Sequence, residues 1–172
     1  DPSCNLLLFV GRIEPLKAID SILRAVHHIR RARQPLIEKM CVAIIGGNPN
    51  NLADSEMQRL RQLASELNLD DTISFLGSKD HNMLPLYYAA ASAVIMPSDY
   101  ESFGMVALEA MASGTPVIAS EVGGLAFLVR DQSTGFLVPS RDPVALADGI
   151  TTLLTDGDQR ELLGRNAATL AE

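Results

Sequence analysis

The sequence contains few of the residues that build disulfide frameworks or metal clusters. It has two cysteines, Cys4 and Cys41, and three histidines, and these five residues form no CxxC or Cys/His pattern. Each cysteine stands at the start of an apolar run, so we expect buried free thiols, with a disulfide as the alternative. No metal centre is expected from these side chains.

Positive charge and long apolar runs are also scarce. Lysine and arginine number 14 against 21 acidic residues, which gives a formal net charge of -7. This balance argues against a general nucleic-acid-binding surface. No apolar run approaches the roughly 20 residues that a membrane-spanning helix needs, and no signal peptide is recognisable. We therefore expect a cytoplasmic protein without a transmembrane segment.

The composition that remains is that of an ordinary globular protein. Hydrophobic residues make up 47% and charged residues 20% of the 172 positions, enough for one domain with a full core. The chain starts almost at once in a predicted strand and ends inside a helical pattern. We therefore expect it to be an excised piece of a longer protein.

Short apolar runs alternate with amphipathic helical patterns along the whole chain. Helical patterns cover about residues 16–33, 86–91, 104–112, 143–155 and 158–171. Two further helices are predicted, one that starts with a capping box at Ser55 and Gln58 and a short one that ends at Val129. The predicted strands are Leu6–Val10, Cys41–Ile45, Thr72–Leu76, Ala93–Met96, Pro116–Ala119 and Gly135–Val138. This alternation predicts an α/β fold: a doubly wound parallel sheet of about six strands with helices on both faces. Such sheets bind ligands at the carboxyl ends of their strands.

The loop after the first strand carries two cations. Arg12 and Lys17 follow Gly11 and lie around the predicted start of a helix. An arginine fork and a lysine point charge suit a diphosphate. The alternative is a pair of solvated charges flanking a turn. The loop lacks the glycine and serine/threonine pattern of a Walker loop.

The loop after the fourth strand is acidic and leads to a glycine at the mouth of a helix. The free backbone N–H groups of Gly104, Met105 and Val106 suit an anion or sugar hydroxyls. Glu109 lies among apolar residues, where a carboxylate is costly unless paired, and carboxylates bind vicinal hydroxyls well. The alternatives are that Glu101 caps the helix and that Glu109 is solvated.

Other patterns are less informative. Gly123-Gly124, after the fifth strand, allows a close approach of backbone to a ligand or forms a plain turn. Asp156-Gly157-Asp158 spells a DxD metal motif, but a helix cap is favoured. His81 is expected at a loop surface, with contact to a base or phosphate as the alternative. Gly46-Gly47 is not GxGxxG, so a nicotinamide dinucleotide site is not supported.

Four features nevertheless occur in a recognisable order. They are Phe9-Val10-Gly11-Arg12 with Lys17, the Glu-x7-Glu pair Glu101 and Glu109, the run from Ala110 to Val117, and Gly123-Gly124. Together they resemble the carboxyl-terminal, donor-binding domain of group 1 retaining glycosyltransferases, which have the GT-B fold. The resemblance covers essentially the whole chain.

The resemblance implies a role for each matching residue in binding a nucleotide-diphosphate sugar. Three residues would be catalytic: Arg12 and Lys17 at the diphosphate and leaving group, and Glu101 near the reacting carbon of the sugar. The donor-binding residues would be Gly11, Phe103, Gly104 and Met105 with their backbone groups, Val106 with its amide at the diphosphate, and Glu109 at the ribose. The loop from Gly77 to Leu84 would receive the base.

The resemblance also implies what surrounds this site. Residues 1–172 would form a single nucleotide-sugar-binding domain, with the amino-terminal acceptor domain absent from this chain and the isolated chain inactive in transfer. Neither a metal nor a separate cofactor is expected, and a UDP-type donor is favoured. Two alternatives stay open: a non-catalytic nucleotide-binding or regulatory GT-B module, and a GT-B sugar-nucleotide epimerase.

Overall fold

The protein is built on a single parallel β-sheet. The computed structural model describes residues 4–32, 35 and 38–172. The strands are β1 (Asn5–Val10), β2 (Met40–Ile45), β3 (Ile73–Gly77), β4 (Ala93–Met96), β5 (Val117–Ser120) and β6 (Gly135–Val138). They pair in the order β3-β2-β1-β4-β5-β6. The doubly wound α/β sheet is confirmed, and no strand end differs from its predicted position by more than one residue.

Helices cover both faces of this sheet. They are α1 (Ile19–Ala32), α2 (Ser55–Glu66), α3 (Leu84–Ala90), α4 (Met105–Ala112), α5 (Leu125–Leu128), α6 (Pro143–Thr155) and α7 (Gly157–Ala171). Along β1, Leu7 and Phe9 pack into the core beneath α1, α2 and α6, whereas Leu8 and Val10 pack into the core beneath α3, α4 and α5. Burial on both faces explains why the strand is continuously apolar.

The first helix starts later than predicted. The pattern placed its start near residue 16, but α1 begins at Ile19. Pro15–Lys17 forms a separate 3-10 turn, and Ala18 interrupts the helical path with a φ of 49°. Leu16, which seemed to belong to the apolar stripe, is 55% exposed. Lys17 therefore lies on a short turn after β1 and not on the helix. The predicted end at residue 33 lies outside the described residues.

Aspartates cap three of the described helices, α2, α6 and α7, and two of these caps test sequence predictions. The Asp54 carboxylate accepts a hydrogen bond from the Met57 amide at 3.0 Å and is the N-cap of α2. The predicted capping box of Ser55 and Gln58 is therefore wrong, because the aspartate one position earlier supplies the acceptor. Asp156 caps α7 by accepting from the Gln159 amide at 2.9 Å. The helix-cap interpretation of the Asp156-Gly157-Asp158 pattern is thus confirmed.

Both cysteines are free, and both are only half-buried. The expected free thiols are confirmed, whereas their full burial was wrong. Burial raises the pKa of the Cys4 thiol to about 11, and the hydrogen-bonding and charge interactions with the neighbouring Cys41 raise it in the same direction. Across the described part of the chain, no helix has both the length and the apolar character that a membrane crossing requires.

We expect a close helix contact at Gly164 to be sensitive to substitution. A Cβ at Gly164, in the middle of α7, would lie 2.2 Å from the carbonyl oxygen of Gly114. Gly164→Ala should therefore lower the free energy of unfolding by about 1–3 kcal/mol despite the helix preference of alanine. In the control Gly157→Ala, the new Cβ lies 3.7 Å from the nearest atom, and we expect a change within about 0.5 kcal/mol. Urea unfolding measures both, and equal losses would contradict the contact.

Candidate functional site

The centre of the sheet contains a topological switch point. β1 and β4 are neighbours there, and β2 and β5 continue the sheet in opposite directions. In doubly wound sheets a crevice opens at the carboxyl ends of the two strands that flank such a point. The loops that follow β1 and β4 are the two loops in which the sequence places its charged candidate residues. The fold therefore brings these loops together across one crevice.

A cleft of about 290 Å³ lies at this position. It gathers eight of the nine candidate catalytic and donor-binding residues, and the ninth, Glu109, lies in an adjoining part of the structure. The eight are Gly11, Arg12, Lys17, Glu101, Phe103, Gly104, Met105 and Val106. Eight of the nine residues that the sequence motifs indicate thus meet in one cleft.

Lys17 and Glu101 form an ion pair inside the cleft. The Lys17 Nζ donates a hydrogen bond to the Glu101 Oε2 at 2.6 Å, and the two side chains are only 17% and 15% exposed. Charges held away from water interact more strongly than surface pairs. The alternative of a solvated Lys17 is therefore wrong. Glu101 does not cap α4 either, because Gly104 is the N-cap and no side chain bonds there.

Arg12 lines the same cleft in a different environment. Its side chain is 79% exposed and forms an ion pair with Glu14 at 2.8 Å. An exposed arginine can change rotamer at little cost, so its guanidinium is free to turn toward an anion in the cleft. The cleft thus contains one largely buried cation, Lys17, and one exposed cation, Arg12.

The amino-terminal end of α4 lines the cleft. Leu108 is the first residue whose amide bonds back to Gly104, at 3.1 Å. The amides of Met105 and Val106 precede it, and both residues line the cleft. Amides at a helix start carry partial positive charge and attract anions. Gly104 enters the helix with a φ of 95°, which favours glycine.

The two glycines after β5 support a loop and do not line the cleft. The Gly124 amide donates to the Glu101 carbonyl oxygen at 2.8 Å. A Cβ on Gly123 would lie 2.1 Å from that same oxygen, and one on Gly124 would lie 2.5 Å from the Phe103 Cα. The structure shows a close approach of this pair to the neighbouring loop, and a close approach to a ligand stays a prediction. Their small size lets backbone pack directly beneath the loop that carries Glu101.

A second hollow, of about 230 Å³, contains Glu109. Its lining includes His81 and Leu84, which belong to the loop expected to receive the base, together with Tyr88 of α3. The Glu109 Oε2 accepts a hydrogen bond from the Tyr88 hydroxyl at 2.8 Å. The carboxylate is therefore paired and is not a freely solvated helix residue. Glu109 and the candidate base loop share one surface.

Tyr88 is a site residue that the sequence did not reveal. It is 1% exposed, and burial together with the hydrogen bond to Glu109 raises the pKa of its hydroxyl. The hydroxyl is thus a neutral donor at ordinary pH. No sequence signal distinguishes Tyr88 from a core aromatic residue, because its partner lies 21 positions away.

Ser98 was also missed. It lines the cleft and is 0% exposed, and its hydroxyl has no hydrogen-bond partner within the described ranges 4–32, 35 and 38–172. Across the same residues, no group of three or more histidine, cysteine or acidic side chains is arranged to hold a metal ion. The chemistry of the cleft thus comes from one buried ion pair, one exposed cation, backbone amides and a hydroxyl.

A comparison with known protein families identifies the chain. The family described as glycosyl transferases group 1 matches residues 2–170. The chain belongs to the group 1 glycosyltransferase family. The resemblance drawn from the motifs is thereby confirmed at the level of the family, and two solved structures with TM-scores of 0.89 and 0.87 confirm the fold.

Relatives of this group 1 domain are considerably longer than the chain. The D-inositol 3-phosphate glycosyltransferase of Streptomyces bingchenggensis is 43% identical over 171 residues, which are 99% of the chain and 37% of the relative. The structure of sucrose-phosphate synthase from Thermosynechococcus elongatus has a TM-score of 0.89 and 38% identity, over 99% of the chain and 41% of that protein. The structure of the HepE protein of Anabaena, in complex with UDP and glucose, has a TM-score of 0.87 and 26% identity. The match covers 98% of the chain and 44% of that protein.

We expect the Tyr88 hydroxyl to stabilise this glycosyltransferase domain through Glu109. Tyr88→Phe keeps the ring but leaves the carboxylate without its donor, which should lower the free energy of unfolding by about 1–2 kcal/mol. The control Tyr87→Phe removes a hydroxyl from the same helix at a half-buried position. It should change the free energy of unfolding by less than about 0.5 kcal/mol. Denaturant unfolding of both variants gives the comparison. A loss at Tyr87 as large as that at Tyr88 would refute the role of the Glu109 bond.

Proposed function

We propose that this chain is the donor-binding domain of a metal-independent, retaining glycosyltransferase and that it holds a nucleotide-diphosphate sugar. The observation that carries the proposal is the Lys17–Glu101 pair, with an N–O distance of 2.6 Å, in a cleft beside the amino-terminal end of α4. A cation for phosphate, a carboxylate for hydroxyls and a row of amides are the groups that such a donor requires.

The diphosphate would lie between the cations and the helix. Lys17 supplies a positioned point charge and Arg12 a fork that can bind two phosphate oxygens. The Val106 amide lies at the start of α4 within the same cleft. Negative charge grows on the diphosphate as the glycosidic bond breaks, so positioned cations stabilise the transition state more than the bound donor. Metal independence follows from this proposal, because the two side chains do the neutralising.

The sugar would occupy the part of the cleft lined by Glu101 and the following residues. The Glu101 carboxylate accepts hydrogen bonds from sugar hydroxyls near the reacting carbon, and backbone groups from Phe103 to Met105 contact the others. Retention of the anomeric configuration, with attack on the same face as the leaving group, is part of the proposal and rests on family membership.

The nucleoside would lie in the hollow around Glu109. Tyr88 donates to the Oε2 atom of Glu109, which leaves the other carboxylate oxygen and further lone pairs for two ribose hydroxyls. His81 and Leu84 line the same hollow and would contact the base. We favour a uridine nucleotide, and the HepE complex with UDP and glucose supports this choice.

The acceptor would be bound by another part of a longer protein. The chain spans 37% of one curated relative and 41% of the sucrose-phosphate synthase structure. Large apolar side chains near the cleft remain exposed, among them Phe103 at 53% and Met105 at 56%, and a second domain closing over the donor would cover them. Because transfer needs both reactants held together, we expect this chain to bind donor without transferring sugar by itself.

Calorimetry on the diphosphate contacts tests the proposed function. UDP, ADP and GDP are titrated into the chain, and UDP should bind most tightly. Lys17→Ala should weaken UDP binding by about 1.5–3 kcal/mol, the usual range for charged hydrogen bonds, while uridine binding changes little. Arg130→Ala removes an exposed cation from a different surface hollow and serves as the control. Absence of UDP binding to the unmodified chain, or equal losses for UDP and uridine in Lys17→Ala, would contradict the proposal.

The ribose contact of Glu109 has its own test. Glu109→Gln keeps the shape but gives up the charge and an acceptor, so UDP affinity should fall by about 1–3 kcal/mol. The 2′,3′-dideoxy analogue lacks the ribose hydroxyls, so it should bind the unmodified chain weakly and respond far less to the substitution. Glu161→Gln, at an exposed carboxylate of α7, controls for the lost charge. Equal weakening of both nucleotides by Glu109→Gln would rule out the ribose contact.

A further inference from the structure

The loop after β6 carries an arginine in a backbone conformation that side chains disfavour. Arg141 has a φ of 59°, in the left-handed region that glycine adopts most readily. Such a conformation persists where the surrounding structure holds it, and it often coincides with a functional constraint. The contacts of the Arg141 side chain show what that constraint is.

The Arg141 guanidinium binds three separate segments of the chain. Its Nε donates to the two Asp99 carboxylate oxygens at 2.8 and 2.9 Å, and its Nη2 donates to Asp99 at 2.5 Å. The same Nη2 donates to the Pro15 carbonyl oxygen at 3.2 Å. Nη1 donates to the Asp20 carboxylate at 3.3 and 3.4 Å. We refer to Arg141, Asp99, Asp20 and the Pro15 carbonyl as the Arg141 cluster.

The segments joined by the Arg141 cluster are those that carry the ion pair of the cleft. Pro15 belongs to the 3-10 turn that ends at Lys17, and Asp99 precedes Glu101 by two positions in the loop after β4. The Asp99 amide also donates to the Leu16 carbonyl oxygen at 2.9 Å. Both loops are therefore fixed to each other and to the same guanidinium.

The charge state of the Arg141 cluster keeps it intact at neutral pH. Hydrogen bonds from Arg141 are the largest influence on Asp99, and with the Ser140 hydroxyl they hold the pKa of that carboxyl below its ordinary value. Asp20, at the start of α1, is 9% exposed. The Asp99 carboxylate, the Asp20 carboxylate and the Pro15 carbonyl oxygen lie in different directions from Arg141. A planar guanidinium has enough N–H donors to reach all three, whereas the single ammonium group of a lysine does not.

We propose that Arg141 is a positioning residue that sets the placement of Lys17 relative to Glu101 and thereby the affinity for the donor diphosphate. It acts through the two loops, because it is absent from the lining of the cleft across the described residues. The proposal rests on the proposed function of the cleft. It assigns a role in donor binding to the loop after β6, which none of the sequence motifs indicated.

Arg141→Gly is the variant that tests this role. It removes the guanidinium while suiting the left-handed backbone, so little strain is added. Because Lys17 itself remains, UDP affinity should fall by about three- to tenfold, which is less than the loss in Lys17→Ala. Uridine affinity should stay within about twofold of that of the unmodified chain. Gln132→Gly is the matched control, because Gln132 is exposed, has a φ of 56° and lies in the turn before β6. This control should leave both affinities unchanged.

A second measurement reads the loops without ligand. Amide hydrogen exchange by NMR follows the Asp99, Lys17 and Ala18 amides, which donate to the Leu16, Glu14 and Pro15 carbonyl oxygens. Exchange at these sites should accelerate in Arg141→Gly and not in Gln132→Gly. Unchanged exchange, unchanged UDP affinity, or equal losses for UDP and uridine would overturn the proposal. If exchange accelerates but the unmodified chain binds no UDP, the proposed function fails while the positioning of the two loops by Arg141 stands.

Discussion

The parallel pairing of β1 with β4 is the constraint on which the candidate site depends. Leu7 and Leu8 of β1 are in register with Ala93 and Val94 of β4, so the two strands end side by side. Lys17 and Glu101 are 84 positions apart in sequence, and no local interaction brings them together. The Lys17–Glu101 ion pair follows from this adjacency, because it brings a basic loop and an acidic loop to the same edge of the sheet.

Glycines hold both loops close to the sheet. A Cβ at Gly46, after β2, would lie 1.8 Å from the Gly11 carbonyl oxygen, just as a Cβ at Gly123 would meet that of Glu101. In each case the backbone of one strand exit packs directly against the loop of its neighbour. A larger residue would push the loop away from its position, and displacements of about 1 Å are enough to impair a binding site. The glycines thus support the loops that line the site.

The sequence predicted the strands better than the helix starts, and the reason is physical. Each strand is a short, mostly apolar run that ends near a glycine or proline, so its limits can be predicted from local chemistry. The start of α1 depends on the 3-10 turn of Pro15–Lys17, and Leu16 in that turn imitates the helical stripe without being buried. Periodicity cannot separate an exposed leucine from a buried one, so the predicted helix began too early.

The same distinction separates the site residues that were predicted from those that were missed. Arg12, Lys17, Glu101 and Glu109 stand in motifs whose spacing is visible along the chain. Tyr88 and Arg141 matter through partners that only the strand order brings near, and their own neighbours in sequence show nothing unusual. A local sequence motif can indicate the residues that would contact a ligand. The residues that hold those side chains in place come from distant parts of the chain, so no local motif indicates them.

The two cations of the cleft, Lys17 and Arg12, are both paired with carboxylates, and this pairing affects how the protein would bind an anionic donor. Lys17 is neutralised by Glu101 and Arg12 by Glu14, so a diphosphate must compete with these carboxylates. Among residues 4–32, 35 and 38–172, no side chain caps the amides at the start of α4, and these amides would attract the diphosphate without displacing a carboxylate. Once the diphosphate draws Lys17 toward itself, a lone pair of Glu101 becomes available for a sugar hydroxyl. Under the proposed function, binding of the diphosphate and binding of the sugar are therefore coupled through one ion pair. A nucleotide without its sugar would leave Glu101 with fewer partners than the complete donor does.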